Sequence, residues 1–385
     1  MRHLVIAGLL ASATAAEPPF AKHVLSTLFF GEGADVGDFD RDGDLDVASG
    51  PFWYEGPDFA AAKPHRFYQG AALDPHGYSE HFFTFVDDVD GDGWEDIVVV
   101  GFPGRAARWF ANPRGLRDGD WIARIAHGSV DNESPQWLDL TGDGRGELVF
   151  STGGRLGYAA PDPADPTTPW VFHPCTPVDA HFHRFTHGLG AGDVDGDGRR
   201  DLIESRGWWR QPDSLAGDPP WAFNAAAFGD GGAQMHADDV DGDGDADVIT
   251  SLQAHGYGLA WFEQVDDGSF IRHVIMDGPG RGEPCFSQPH AVALMDMDGD
   301  GLKDVVSGKR RWAHGPDGDP EPNAPAVLYW WKLGRGAGGV TWTAQRIDDD
   351  SGVGTQVEAL DIDSDGRGDV VVGNKKGTFV FLQRR

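Results

Sequence analysis

Basic residues are scarce in this chain: 31 Lys and Arg stand against 62 Asp and Glu, a formal charge of −31 over 385 residues. A surface of that sign cannot neutralise phosphates, so nucleic acid is not an expected partner. Long apolar runs are missing as well. No stretch of some eighteen apolar residues occurs, and no membrane span is expected. Cysteine is limited to Cys175 and Cys285. The pair either forms one disulfide in an oxidising compartment or stands as two separate thiols. A Gly-x-Ser-x-Gly elbow, a phosphate-cradling glycine loop and a paired-cysteine zinc knuckle are all absent.

What the chain has in abundance is aspartate at fixed spacing. Asp239, Asp241, Asp243 and Asp247 read D-x-D-x-D-G-x-x-D, and Val248-Ile249 follow as the start of a β-branched strand. Carboxylates at loop positions 1, 3, 5 and 9, with glycine at 6 for the sharp turn, suit calcium, a hard cation that takes six to eight oxygens. Without a cation such carboxylates repel one another. The loop recurs as Asp38, Asp40, Asp42, Asp46; Asp88, Asp90, Asp92, Asp96; Asp193, Asp195, Asp197, Asp201; Asp296, Asp298, Asp300, Asp304; and Asp361, Asp363, Asp365, Asp369. A degenerate copy has Asp139, Thr141, Asp143 and Glu147. Seven bound divalent ions would bring the charge to roughly −17. The acidity is therefore metal-site chemistry first.

The repeat period is about fifty residues, the mark of a solenoid, propeller or array. Each unit runs on one plan. A short strand enters the acidic loop, a β-branched strand such as Ile97–Val100 leaves it, an aromatic strand such as Leu328–Trp331 follows, and a fourth closes the unit. The fold class expected is all-β: a seven-bladed β-propeller of four-stranded antiparallel blades. The last repeat lacks its fourth strand, and the unpaired Phe20–Ser26 segment is expected to complete it and close the ring. Residues 1–16, with a basic start, an apolar Leu4–Leu10 run and small residues at 13–16, read as a signal peptide. Residues 17–385 then form one propeller, secreted or periplasmic.

The acidic loop opening onto a Val/Ile strand resembles the FG-GAP/VCBS repeat family, which includes the integrin α-subunit propellers. The resemblance covers the whole mature chain and implies calcium loops between the first and second strands, on one face of the disc. A narrower likeness lies in Trp109-Phe110-Ala111-Asn112-Pro113-Arg114-Gly115-Leu116-Arg117-Asp118, followed by Trp121 and Arg124-Ile125, with His290 ahead of Asp296. These are similar to the propeller domain of aldos-2-ulose dehydratases, metal-containing sugar lyases, and so imply carbohydrate chemistry.

If the acidic loops occupy one face, the segments before each first strand and between second and third strands occupy the other. Glu133, His187, His236, His255 and His290 lie there. Converging imidazoles suit Zn²⁺ or another transition metal, with Glu133 or a histidine as base. Arg206, Lys309, Lys375 and Gln356 sit in equivalent segments and are the candidate substrate-binding residues. Two functions follow: a metal-dependent lyase or hydrolase on a sugar or oxidised sugar, or a non-catalytic module that binds a glycan or protein partner by its top face.

Overall fold

The computed structural model describes residues 19–384 apart from 116, 118, 266 and 267; the expected signal peptide, 1–16, lies outside the described residues. The described residues form strands and no helix. Five four-stranded antiparallel sheets occur. Four of them take their strands in chain order: Ala34–Gly37 to Pro64–Arg66, Phe83–Asp87 to Ile122–Val130, Gln136–Leu138 to Val171–Pro174, and Pro289–Met295 to Gly339–Asp348. In the fifth, Phe20–Ser26 pairs antiparallel with Gly377–Gln383, Phe20 opposite Gln383, beside Asp369–Asn374 and Glu358–Leu360.

The remaining strands correct the expectation of seven separate four-stranded blades. The strands from Leu189–Gly192 to Ala222–Ala225 and from Gln234–Asp238 to Phe270–Met276 form one eight-stranded sheet. They are joined by a parallel pairing of Leu189 with Gln234 and Gly190 with Met235. The cause is local. A Cβ on Gly190 would lie 2.0 Å from the Met235 carbonyl, so only glycine lets the two first strands come within ladder distance. The ring is thus five four-stranded blades and one double-width sheet.

Each acidic loop does connect the first and second strands of its repeat, and its last acid organises the local fold. Asp46, Asp96, Glu147, Asp201, Asp247, Asp304 and Asp369 are each the first residue of a second strand and are buried. The carboxylates of Asp46, Asp201, Asp247, Asp304 and Asp369 accept N–H groups from two directions. Asp304 takes one from Met297 in the loop at 3.1 Å and one from Leu333 in the third strand at 2.8 Å. Asp201 does the same with Val194 and Gln211. The loop glycines at position 6 hold positive φ, 98° at Gly43 and 100° at Gly244, a conformation costly for any residue with a Cβ. The second loop residue, apolar Phe39, Val194, Val240, Met297 or Ile362, is buried beneath its own loop. The third-strand tryptophans pack between sheets: Trp109 lies with Phe150 and Trp170, and Trp331 with Ile249 and Trp261. Both cysteines are free.

Candidate functional site

Residues from four repeats meet where the first strands begin. Glu133 precedes Gln136–Leu138, His187 precedes Leu189–Gly192, His255 lies between Asp247–Ser251 and Leu259–Gln264, and His290 is the second residue of Pro289–Met295. The backbone is pinned: Glu133 N–H donates to Thr186 O at 2.8 Å, and His290 N–H to Gln288 O at 2.8 Å. The ladder between Pro289–Met295 and Asp304–Lys309 shifts register between Pro289 and Val292. Such a bulge re-aims the side chains within it, here turning His290 toward the cluster.

The ring nitrogens converge. His187 Nε2 is 3.1 Å from His255 Nε2 and 3.2 Å from His290 Nε2. Glu133 Oε2 stands 3.4 Å from the Nε2 of both His187 and His290. A tetrahedral zinc ion with bonds of about 2.0–2.1 Å has ligand–ligand edges of about 3.3 Å, and these four separations match such edges, with all four atoms within 4.8 Å of one another. Two of the outer ring nitrogens lack partners. His290 Nδ1 and His255 Nδ1 are buried without a hydrogen bond. Asp319 Oδ1 is 3.7 Å from His255 Nδ1 and accepts a 2.8 Å hydrogen bond from His314 Nδ1.

Burial first, and then the charge of Arg310, push His290 down to about 3. Burial likewise drives His255 far below its usual range, with His290 and His187 adding to it. Burial alone would raise Glu133, but its contacts with His187 and His290 hold the carboxyl well below the usual range. His255 and His290 are therefore held toward the neutral imidazole and Glu133 toward the ionised carboxylate, the forms that ligate metals. It opens into a cavity of about 460 Å³ walled by Tyr78, Phe82, Phe102 and Phe185, with Arg310 and His314 at its side.

The other predicted residues lie elsewhere. His236 is on the inner strand Gln234–Asp238, its Nε2 donating to Val292 O at 2.9 Å, and is not part of the cluster. Arg206 is tied to Asp179 and Glu204. Gln356 bridges sheets, accepting from Thr84 N–H and donating to Thr84 O. Lys309 is buried and donates to Ser287 Oγ at 2.5 Å; burial lowers it to about 8. Lys375 alone among the predicted cations comes near the cavity, with Nζ 4.9 Å from the ring centre of Tyr78. Asp319 and His314 were not singled out as site residues, whereas Arg310 belongs to a basic run on the same face that the sequence offers to a carboxylate or sulfate. Arg310 NH1 lies 2.9 Å from His290 Nε2, while its other nitrogens hold Glu32. The one signal for it was a basic run, Lys309 to Arg311, in so acidic a chain.

In the loops, the carboxylates of Asp38, Asp40 and Asp42, of Asp88, Asp90 and Asp96, and of Asp139, Asp143 and Glu147 lie close enough together to hold an ion. Position-1 acids also accept loop amides; Asp88 takes those of Asp92 and Gly93 at 2.9 Å each. In the degenerate loop the Thr141 hydroxyl donates to Glu147 instead.

Comparison with known proteins bears on the fold. The FG-GAP-like repeat family matches residues 88–150 and 239–307. No curated protein matches the chain. Among solved structures, BBS1N in complex with ARL6DN is 9% identical with a TM-score of 0.50, over 96% of this chain and 98% of that one. The exotype rhamnogalacturonan lyase YesX is 14% identical with a TM-score of 0.48, over 94% and 72%. A lectin from Agrocybe aegerita is 16% identical with a TM-score of 0.37, over 90% and 78%. At 9% identity the likeness to BBS1N is one of fold alone. No helix among the described residues is long and apolar enough to cross a membrane. The chain is a β-propeller that carries FG-GAP-like repeats.

Proposed function

We propose that this propeller is a metal-dependent carbohydrate-active enzyme, a lyase or hydrolase acting on a sugar or oxidised sugar where the first strands begin. The observation that carries the proposal is the convergence of His187, His255 and Glu133, which line an aromatic-walled cavity, with the buried His290 behind them. The three Nε2 atoms and the Glu133 carboxylate would hold a transition metal such as Zn²⁺. A metal bound there supplies Lewis acidity toward a carbonyl or hydroxyl oxygen of the sugar.

The rest of the chemistry falls to the chain's own groups. Phe102, Phe185 and Tyr78 offer apolar faces against which a pyranose ring stacks and from which water is excluded. His314 lines the cavity with Nδ1 on Asp319, and a carboxylate acceptor fixes the proton on that nitrogen. Its Nε2 is then free to accept a proton from the substrate, and His314 is the base that the geometry favours. Glu133 would be committed to the metal beside the imidazoles. The acidic loops hold calcium in the same reading, stiffening the ring, and a secreted or periplasmic location goes with it because millimolar calcium fills weak sites outside the cytosol.

Elemental analysis tests the proposal. The purified protein is expected to hold one equivalent of a transition metal that survives mild chelation, and His290→Ala and His255→Ala are each expected to lose it while the fold persists. Second-row losses in metal affinity of about 10–100-fold accompany changes around such sites, and loss of a direct ligand exceeds that. A protein holding calcium alone would instead be a binding module.

A further inference from the structure

We infer that the cavity selects a carboxylated sugar, with the Arg310 guanidinium receiving the carboxylate and Arg184 reinforcing it at the rim. The inference rests on the metal reading above and adds the substrate class. Arg310 is buried, and its Nε and NH2 are both spent on Glu32. Its NH1 points the other way, 2.9 Å from His290 Nε2 and 3.6 Å from Glu133 Oε2. Were His290 and Glu133 to hold a metal, His290 Nε2 would no longer accept from NH1 and the Glu133 carboxylate would be shared with the ion. A buried guanidinium does not lose its proton, and a donor left unpaired there is costly. An anionic oxygen in the cavity satisfies it.

The rim points the same way. Arg184 lies over Phe185, 4.8 Å from the ring centre, and over Phe102 at 5.3 Å. No carboxylate stands within ion-pair distance of its guanidinium among the described residues, although acids outnumber bases two to one in the chain. Phe185 itself is 39% exposed and holds a φ of 73°, a left-handed conformation uncommon for a bulky residue and frequent at ligand-binding positions. With a divalent ion in the cluster, Arg310, Arg184 and Lys375 leave the cavity net positive against Glu32, Glu133 and Asp319. An aromatic wall beside two guanidinium groups and a divalent ion fits a uronic acid: a ring to stack and a carboxylate to pair.

The test is calorimetric titration of zinc-loaded protein, its metal content measured first, with D-glucuronate and with D-glucose as the neutral twin. Glucuronate is expected to bind about tenfold or more tightly than glucose, the worth of one charge-assisted contact. Arg184→Gln, an exposed change, should reduce that preference several-fold. Glu32→Leu with Arg310→Met removes the buried charges as a pair, and should retain zinc yet abolish the preference. Equal affinities in zinc-loaded wild type, or a preference unchanged in the double variant, would overturn the inference and leave the metal reading standing. A protein that takes up no zinc sinks both, and the metal count tells the two failures apart.

Discussion

Arg310→Met on its own is expected to cost about 3–5 kcal/mol of folding stability, most of which returns when Glu32 becomes leucine in the same chain. The two residues are 278 positions apart and join the first repeat to the end of the sixth. Arg310 Nε donates to Glu32 Oε2 at 2.9 Å, and both side chains are within 2% of full burial. Glu32 Oε1 has no hydrogen bond at all, so its carboxylate depends on this one partner. Burial works to lower Arg310, and the charges of Glu32 and Glu133 overcome it and raise the group. Removing the guanidinium leaves an ionised or forcibly protonated acid in the interior, whereas removing both leaves an apolar contact beside Phe82. Denaturant unfolding of the single and double variants measures the difference. Equal losses in the two would mean that packing, not charge, is what the pair contributes.

Much of this was legible in the sequence, and the failures have physical causes. The acidic loops declared themselves because a turn that places several carboxylates together needs glycine at one position and an apolar plug at another, and both recur. His187 and His290 each stand six residues before their loop's first aspartate, so the repeat puts them at equivalent heights, and the structure brings them together. His236 stands three before. Three residues of strand are about 10 Å, which carries it down the first strand and away from the cluster. Lys309 and Arg310 are neighbours at a strand end, where successive side chains point to opposite sides. One therefore meets Ser287 and the other the histidines, and composition does not say which. The fusion of two blades was hidden for a different reason. It depends on Gly190 lying against the Met235 carbonyl, a contact between repeats that no spacing within a repeat encodes.

Stripping calcium with a chelator is expected to lower the melting temperature by on the order of 10 °C, since each loop saturated a hundredfold adds about 2.7 kcal/mol to the native state. The loops should not respond equally. Arg210 pairs with Asp195 and Asp197, Arg117 with Asp40, and Lys332 with Asp300, so those loops carry counter-charge of their own. The Asp239 loop has only Arg335, 3.8 Å from Asp239 Oδ1, and the Asp361 loop only Arg367, 4.0 Å from Asp365 Oδ2, so Asp241→Ala and Asp363→Ala should forfeit more calcium stabilisation than changes in the paired loops. The degenerate Asp139 loop should bind weakest, because Thr141 spends its hydroxyl on Glu147. The pH dependence separates ion binding from hydrogen bonding alone. Burial raises Asp46 and Asp96 to about 8 and Asp247, Asp304 and Asp369 to about 7, against about 3.9 in an unfolded chain. A group raised in the folded state stabilises it fully below the unfolded value and ceases to as pH climbs through the folded one. In chelator, melting should thus rise as pH falls from 8 to 5. With calcium bound, the same carboxylates are held ionised and the gain should vanish, so that the benefit of calcium shrinks toward acid. Melting that ignores both chelator and calcium at pH 8 would show that backbone amides and the arginines already satisfy these loops.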